Sequence, residues 1–157
     1  MIRNILRDIL ATYGSLSQPN WSFLWQGAKP YCDVIETIHS NISLLDGFSV
    51  TDMSDYMYGL GPQLVFHCEE DSWWLSLSLV GRYAYFGKTS TKPIRIIESI
   101  EHCETDFEHM IISALDKHSI ALVPKIIAQI ELPEFHLWLE PEEGEIPTIQ
   151  NVLFFYS

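Results

Sequence analysis

Between Gln63 and Lys88 apolar and polar side chains alternate through three runs parted by short polar breaks. Leu64, Phe66 and Cys68 alternate with Val65, His67 and Glu69. Trp73, Leu75, Leu77 and Leu79 alternate with Trp74, Ser76 and Ser78, and Tyr83-Ala84-Tyr85-Phe86 completes the series. Glu70-Asp71-Ser72 and Gly81-Arg82 supply the turns. Period-two alternation, aromatic enrichment and short breaks predict an antiparallel three-strand meander over about 63–87. The leucine face of its middle strand should be buried and the serine face at least partly wet.

Helical spacing flanks this stretch. Ile2, Ile5, Leu6, Ile9, Leu10 and Tyr13 form one apolar stripe, and Gly14 is a natural stop, so 2–13 reads as an amphipathic helix. A weaker helix over 33–46 carries Ile35, Ile38, Ile42 and Leu45, with Asp33 and Glu36 at capping-box spacing. A further helix over 105–118 opens with Thr105 and Glu108 at the same spacing. It buries Phe107, Met110, Ile111, Ala114 and Leu115. Pro124 opens a short helix through about Gln129. Residues 14–30 read as a loop and 48–62 as irregular. Ile94, Ile96 and Glu98 suggest a fourth strand over 94–98, with helix as the alternative, and 148–156 reads as a last strand or a short helix. The pattern as a whole predicts an α+β fold, an antiparallel sheet built on the meander with helices packed mainly on one face.

Composition narrows the class. At 157 residues and 47% hydrophobic content the chain is expected to form a single domain, 1–157, with a core that needs no staple. The three cysteines, Cys32, Cys68 and Cys103, are odd in number and widely spaced, which is a poor disulfide framework. The opening residues have an acid inside their apolar pattern and no small-residue cleavage site. Both observations point to a reducing, cytoplasmic setting. No apolar run is long enough to span a bilayer.

The net charge is −12 and unevenly spread. Residues 1–100 hold seven Lys/Arg against ten Asp/Glu, a net of −3, and residues 101–157 hold two against eleven, a net of −9. Such a surface repels nucleic acid and anionic membrane and steers basic partners inward. Acidity of this size also serves solubility alone.

No stretch carries a catalytic motif. Gly59-Leu60-Gly61-Pro62 lacks the lysine of a phosphate loop and the third glycine of a dinucleotide loop. His67-Cys68 and His102-Cys103 are adjacent pairs; neighbours on a strand point to opposite faces, so His67 and Cys68 could not share an ion without a bulge, and free buried thiols are the commoner reading than a metal site. No cofactor, metal or catalytic residue is assigned. The acids instead form two clusters, Glu69-Glu70-Asp71 at the first turn of the meander and Glu140, Glu142, Glu143 and Glu145 in a Pro/Glu/Gly segment. Both are read as a negative surface offered to a basic partner, since complementary charge raises the rate of encounter and selects partners. Trp21, Trp25 and Trp74 are candidate aromatic contacts, although burial of Trp21 and Trp25 in the core is the commoner fate of such rings.

The order Tyr85-Phe86-Gly87, then Leu115 to Ile127 (LDKHSIALVPKII), then the acidic segment, then Thr148 to Tyr156 (TIQNVLFFY) resembles small immunity proteins of bacterial polymorphic-toxin and contact-dependent growth-inhibition systems. The resemblance covers about the last half of the chain and rests on structural patterns. It implies a cytoplasmic protein that binds one cognate toxin domain, often a nuclease, and neutralises it by covering it. It carries over no functional residue. Nuclease domains grip phosphate backbones with basic clefts, and an acidic lid complements them. Two other functions remain open: a small hydrolase using a His/Cys or carboxylate pair, and a structural or adaptor subunit pairing through Trp21–Trp25. Oligomeric state is not fixed by the sequence.

Overall fold

A five-residue strand, β1 (Phe48–Asp52), opens a sheet that continues through β2 (Gln63–Cys68), β3 (Asp71–Leu77), β4 (Tyr83–Lys88) and the two-residue β5 (Arg95–Ile96), all antiparallel. The two-residue β6 (Ala121–Leu122) lies parallel to β4, beside its first residues. The computed structural model describes residues 1–54, 61–135 and 146–154. The meander forms over the expected stretch, and its register sets Phe66 opposite Trp73 and Leu75 opposite Phe86.

Strand β1 takes up 48–52 of the stretch expected to be irregular at 48–62, of which 55–60 lie outside the described residues. Phe48 and Val50 do alternate with Ser49 and Thr51, but the run is only five residues long and ends on aspartate. Its pairing with β2, Val50 opposite Phe66, supplies what the local pattern lacks. Within 94–98 only Arg95–Ile96 forms a strand, β5, and Ile149–Phe154 of the closing segment forms a helix, with 155–156 outside the described residues.

Among the described residues five α-helices flank the sheet: α1 (Ile2–Tyr13), α2 (Cys32–Ile42), α3 (Asp106–Lys117), α4 (Lys125–Ala128) and α5 (Ile149–Phe154). Helix α1 matches its predicted span. Gly14, at φ +75°, ends it and returns its N–H to Leu10 O at 2.9 Å. The capping box expected at Asp33 is absent. Helix α2 emerges directly from a 3-10 turn, Lys29–Tyr31, so Asp33 lies inside its first turn and Tyr31 stands at the cap. Tyr31 is fixed there because its hydroxyl donates to Ser78 O and, at 2.9 Å, to Gly81 O. Thr105 does cap α3, accepting the Glu108 N–H at 3.2 Å.

The sheet has a core on each side. Leu64, Phe66, Trp73, Leu75 and Phe86 meet Val34, Ile38 and Ile42 of α2 and Phe107, Ile111 and Leu115 of α3. Tyr83 and Tyr85 turn the other way, onto Ile5, Ile9 and Tyr13 of α1 and Val152, Leu153 and Phe154 of α5. The helices are thus shared between the faces rather than gathered mainly on one. The serine face of β3 is drier than expected, with Ser76 and Ser78 buried, because α1 and α5 cover that side. The cover stops short of the β1–β2 half: there Ser49, Thr51 and His67 are exposed.

Candidate functional site

Two structures meet at the β1–β2–β3 half of the sheet: an exposed acidic turn and, behind it, a buried carboxylate. Glu69 and Glu70 form the β2–β3 turn, with Glu69 in the left-handed region at φ +55°. Both side chains are exposed and have no ionic partner among the described residues. Asp71 differs. As the first residue of β3 it accepts from Lys88 Nζ at 2.8 Å and from Ser90 Oγ at 3.1 Å. The Lys88 hydrogen bond, aided by Ser90 and the cations of Lys88 and Arg95, holds its carboxyl below the usual aspartate range. Of the first predicted acidic cluster, then, two members face solvent uncompensated and one is engaged within the sheet. Glu140, Glu142, Glu143 and Glu145 lie outside the described residues.

The buried carboxylate is Glu108. At 0% exposure its Oε1 accepts from Trp73 Nε1 at 2.8 Å and from Arg95 Nη2, and its Oε2 accepts the Glu104 N–H at 2.7 Å. Arg95 also donates from Nη1 to His102 O at 2.8 Å and lies 3.3 Å from Glu104. The Lys88 ammonium sits 5.2 Å from the centre of the Trp73 ring. Sequence spacing marked Glu108 only as a capping residue. Its side chain turns inward because positions 108, 111, 112 and 115 share one helical face, and the other three are apolar and buried. That spacing is the signal that could have placed it in the interior.

The predicted aromatic contacts divide. Trp21 is half-buried in a ring cluster, 5.2 Å from Tyr13 and 6.3 Å from Phe135. Trp74 packs edge-on to Tyr85 at 5.7 Å. Trp25, at 86% exposure, is the one that projects, so its expected burial in the core is not met. The 14–30 loop holds a 3-10 turn, Ser22–Gln26, whose geometry points Phe23 inward and leaves Trp25 outside.

Among the described residues no group of three or more His, Cys, Asp or Glu could hold a metal ion. Burial, then the Glu108 charge, pushes the Cys103 thiol up, which disfavours the reactive thiolate. Thr37 Oγ1 lies 3.2 Å from His118 Nε2, but the hydroxyl already donates to Asp33 O at 2.8 Å and has no proton left for that imidazole to accept. A shallow groove of about 400 Å³ between α1 and the β3–β4 turn is lined by Asp8, Thr12, Arg82 and Tyr83. Three of its polar residues already hold partners: Tyr83 donates to Asp8 at 2.6 Å and Arg82 to His118 O at 2.7 Å.

Burial, first, and Asp8, second, keep the Tyr83 phenol protonated far above its ordinary range, and burial does the same for Tyr13 and Tyr31. The folded state therefore binds these protons more tightly than the unfolded chain does. Their contribution is intact below the unfolded value, near pH 10, and is lost as pH rises beyond it. The melting temperature should hold from pH 7 to 9 and fall above about pH 10, less steeply in Tyr83→Phe. A melting temperature flat to pH 11 would contradict this.

The chain matches no protein-family model, and comparison with curated proteins and with solved structures finds no match. Among the described residues no helix is long and apolar enough to cross a membrane.

Proposed function

We propose that this protein binds and neutralises a cationic partner, in the manner of a cytoplasmic immunity protein covering a toxin domain, with no chemistry of its own. One observation supports the reading above the rest. From Pro30 to Gly81 the chain contains eight Asp/Glu and no Lys or Arg, and this stretch supplies α2, β1, β2 and β3. Asp46, Asp52, Glu69 and Glu70 are exposed along it. One half of the sheet therefore presents a single sign of charge, which accelerates encounter with a basic surface and rejects acidic ones. The cation-binding half was not apparent from the charge division by chain position, which drew attention to residues 101–157.

The direct test is calorimetric titration against the C-terminal domain encoded immediately upstream. The expected result is one-to-one binding in the nanomolar range, about −12 kcal/mol, with loss of that domain's toxicity. No heat and no rescue with both proteins folded would overturn the proposal. In the complex, Glu69→Lys combined with Glu70→Lys should slow association about tenfold at low salt and flatten its salt dependence, with a smaller change in dissociation. Stopped-flow rates identical to wild type would remove the turn from the interface.

A further inference from the structure

Among the described residues the first strand of the sheet has nothing paired along its outer side. β1 pairs with β2 alone, and no hydrogen bond among the described residues reaches its outer edge. The direction of its backbone groups follows from one contact: Met53 donates its N–H to Gln63 O at 2.8 Å. Groups alternate sides along a strand, so Ser49 and Thr51 also face β2, while the N–H and C=O groups of Phe48, Val50 and Asp52 point outward. Among the described residues these three leave their outward ladder groups unpaired.

Proteins usually blunt such an edge with lysine, proline or a bulge. β1 has no lysine, proline or bulge, and its one charge is Asp52, an acid that would repel an acidic strand and attract a basic one. It is bracketed by exposed acids, Asp46 before it and Asp52 at its end, with Glu69 and Glu70 at the adjoining end of β2. Two exposed apolar side chains, Leu44 at 82% and Met53 at 56%, flank it as well. We propose that this edge receives an extended basic segment of the partner as an additional strand. Its main chain would complete the ladder, its cations would meet the acids, and its apolar residues would cover Leu44 and Met53. A second copy of this chain fits poorly. Pairing β1 with its own copy would bring together two surfaces that both lack any Lys or Arg from Pro30 to Gly81. The inference rests on the cationic-partner reading and adds how the partner is held.

The test uses the full chain, labelled with nitrogen-15, and the capped peptide Lys-Val-Lys-Val-Lys-Val-Lys. Titration should shift the amide resonances of Phe48, Val50 and Asp52 and slow their hydrogen exchange. The same peptide N-methylated at every residue keeps its charge and loses every donor, and should bind about tenfold or more weakly. The Glu-Val counterpart should bind weakly too. In the protein, Val50→Pro deletes an outward donor that plays no part in the β1–β2 ladder and should weaken the peptide without unpairing β2. If that variant fails to fold, the N-methylated peptide still decides the matter. Equal binding of the N-methylated peptide or of heptalysine would reduce the effect to bulk charge and overturn strand addition. Shifts confined to other residues, or the same shifts appearing on concentrating the protein alone, would overturn it as well. An upstream-encoded domain that gives no heat refutes the toxin reading, whereas an unshifted β1 refutes this one, and neither result entails the other.

Discussion

Glu108→Ala is expected to destabilise the protein by about 3–5 kcal/mol, the range for removing one partner of a buried ion pair. The substitution leaves three donors without their acceptor: the Trp73 indole N–H, the Glu104 backbone N–H and the inward side of the Arg95 guanidinium. Arg95 has little slack to absorb the loss, because its Nε is already buried without a partner among the described residues. Its one remaining carboxylate, Glu104, is largely solvated and holds it weakly. Urea unfolding would measure the change. The control is the double variant Glu108→Leu with Arg95→Met, which removes both charges and should recover much of the loss, since an apolar pair carries no unpaired ion. A single-variant cost under about 1 kcal/mol would mean that water reaches the site and the cluster does not anchor α3.

The neighbouring residue should cost as much for a different reason. The Phe107 ring is buried with its centre 4.7 Å from that of Phe48, 4.8 Å from Trp73 and 5.2 Å from Phe66. It joins the first turn of α3 to β1, β2 and β3 at once. Phe107→Ala removes a whole ring from a closed site and should cost about 3–5 kcal/mol, whereas Phe107→Leu, which refills most of the volume, should cost under about 1.5 kcal/mol. Equal costs would show that the site collapses around the smaller side chain. Residues 107 and 108 both hold Trp73, so the double alanine variant should fall short of the sum. Trp73 lies two residues from Asp71 in the strand that starts at the acidic turn. Loosening α3 is thereby a way to disorder Glu69 and Glu70 without touching them.

The central meander, α1 and α3 were legible because each has its own strong period. What escaped has particular causes. β1 is short and at the sheet's margin, and only its neighbour makes it a strand. The start of α2 is set by Tyr31 reaching the Ser78 and Gly81 carbonyls, across 47 and 50 positions of sequence, and no capping rule sees that far. The second core was hinted at in Tyr83-Ala84-Tyr85-Phe86, apolar on both faces, which is the mark of a strand covered on both sides. As for the candidate site, Glu69 and Glu70 were found and remain exposed. The same count of acids credited Asp71, whose charge Lys88 absorbs, because pairing across strands is invisible in a tally of charge.

The two cores also differ in when they become possible. The core between the sheet and α2 and α3 draws on residues 31 to 120, one uninterrupted stretch. The core on the other face needs both flanks: α1 meets α5, and the Tyr13 hydroxyl donates at 2.8 Å to Val152 O, 139 positions away. A chain emerging from the ribosome can close the first while the second still lacks its far half. Until residue 154 is out, α1 has nowhere complete to dock and the tyrosine face of β4 stays bare. That asymmetry predicts that during synthesis the α2–α3 side closes before the α1–α5 side, which pulse-labelled hydrogen exchange on refolding would check.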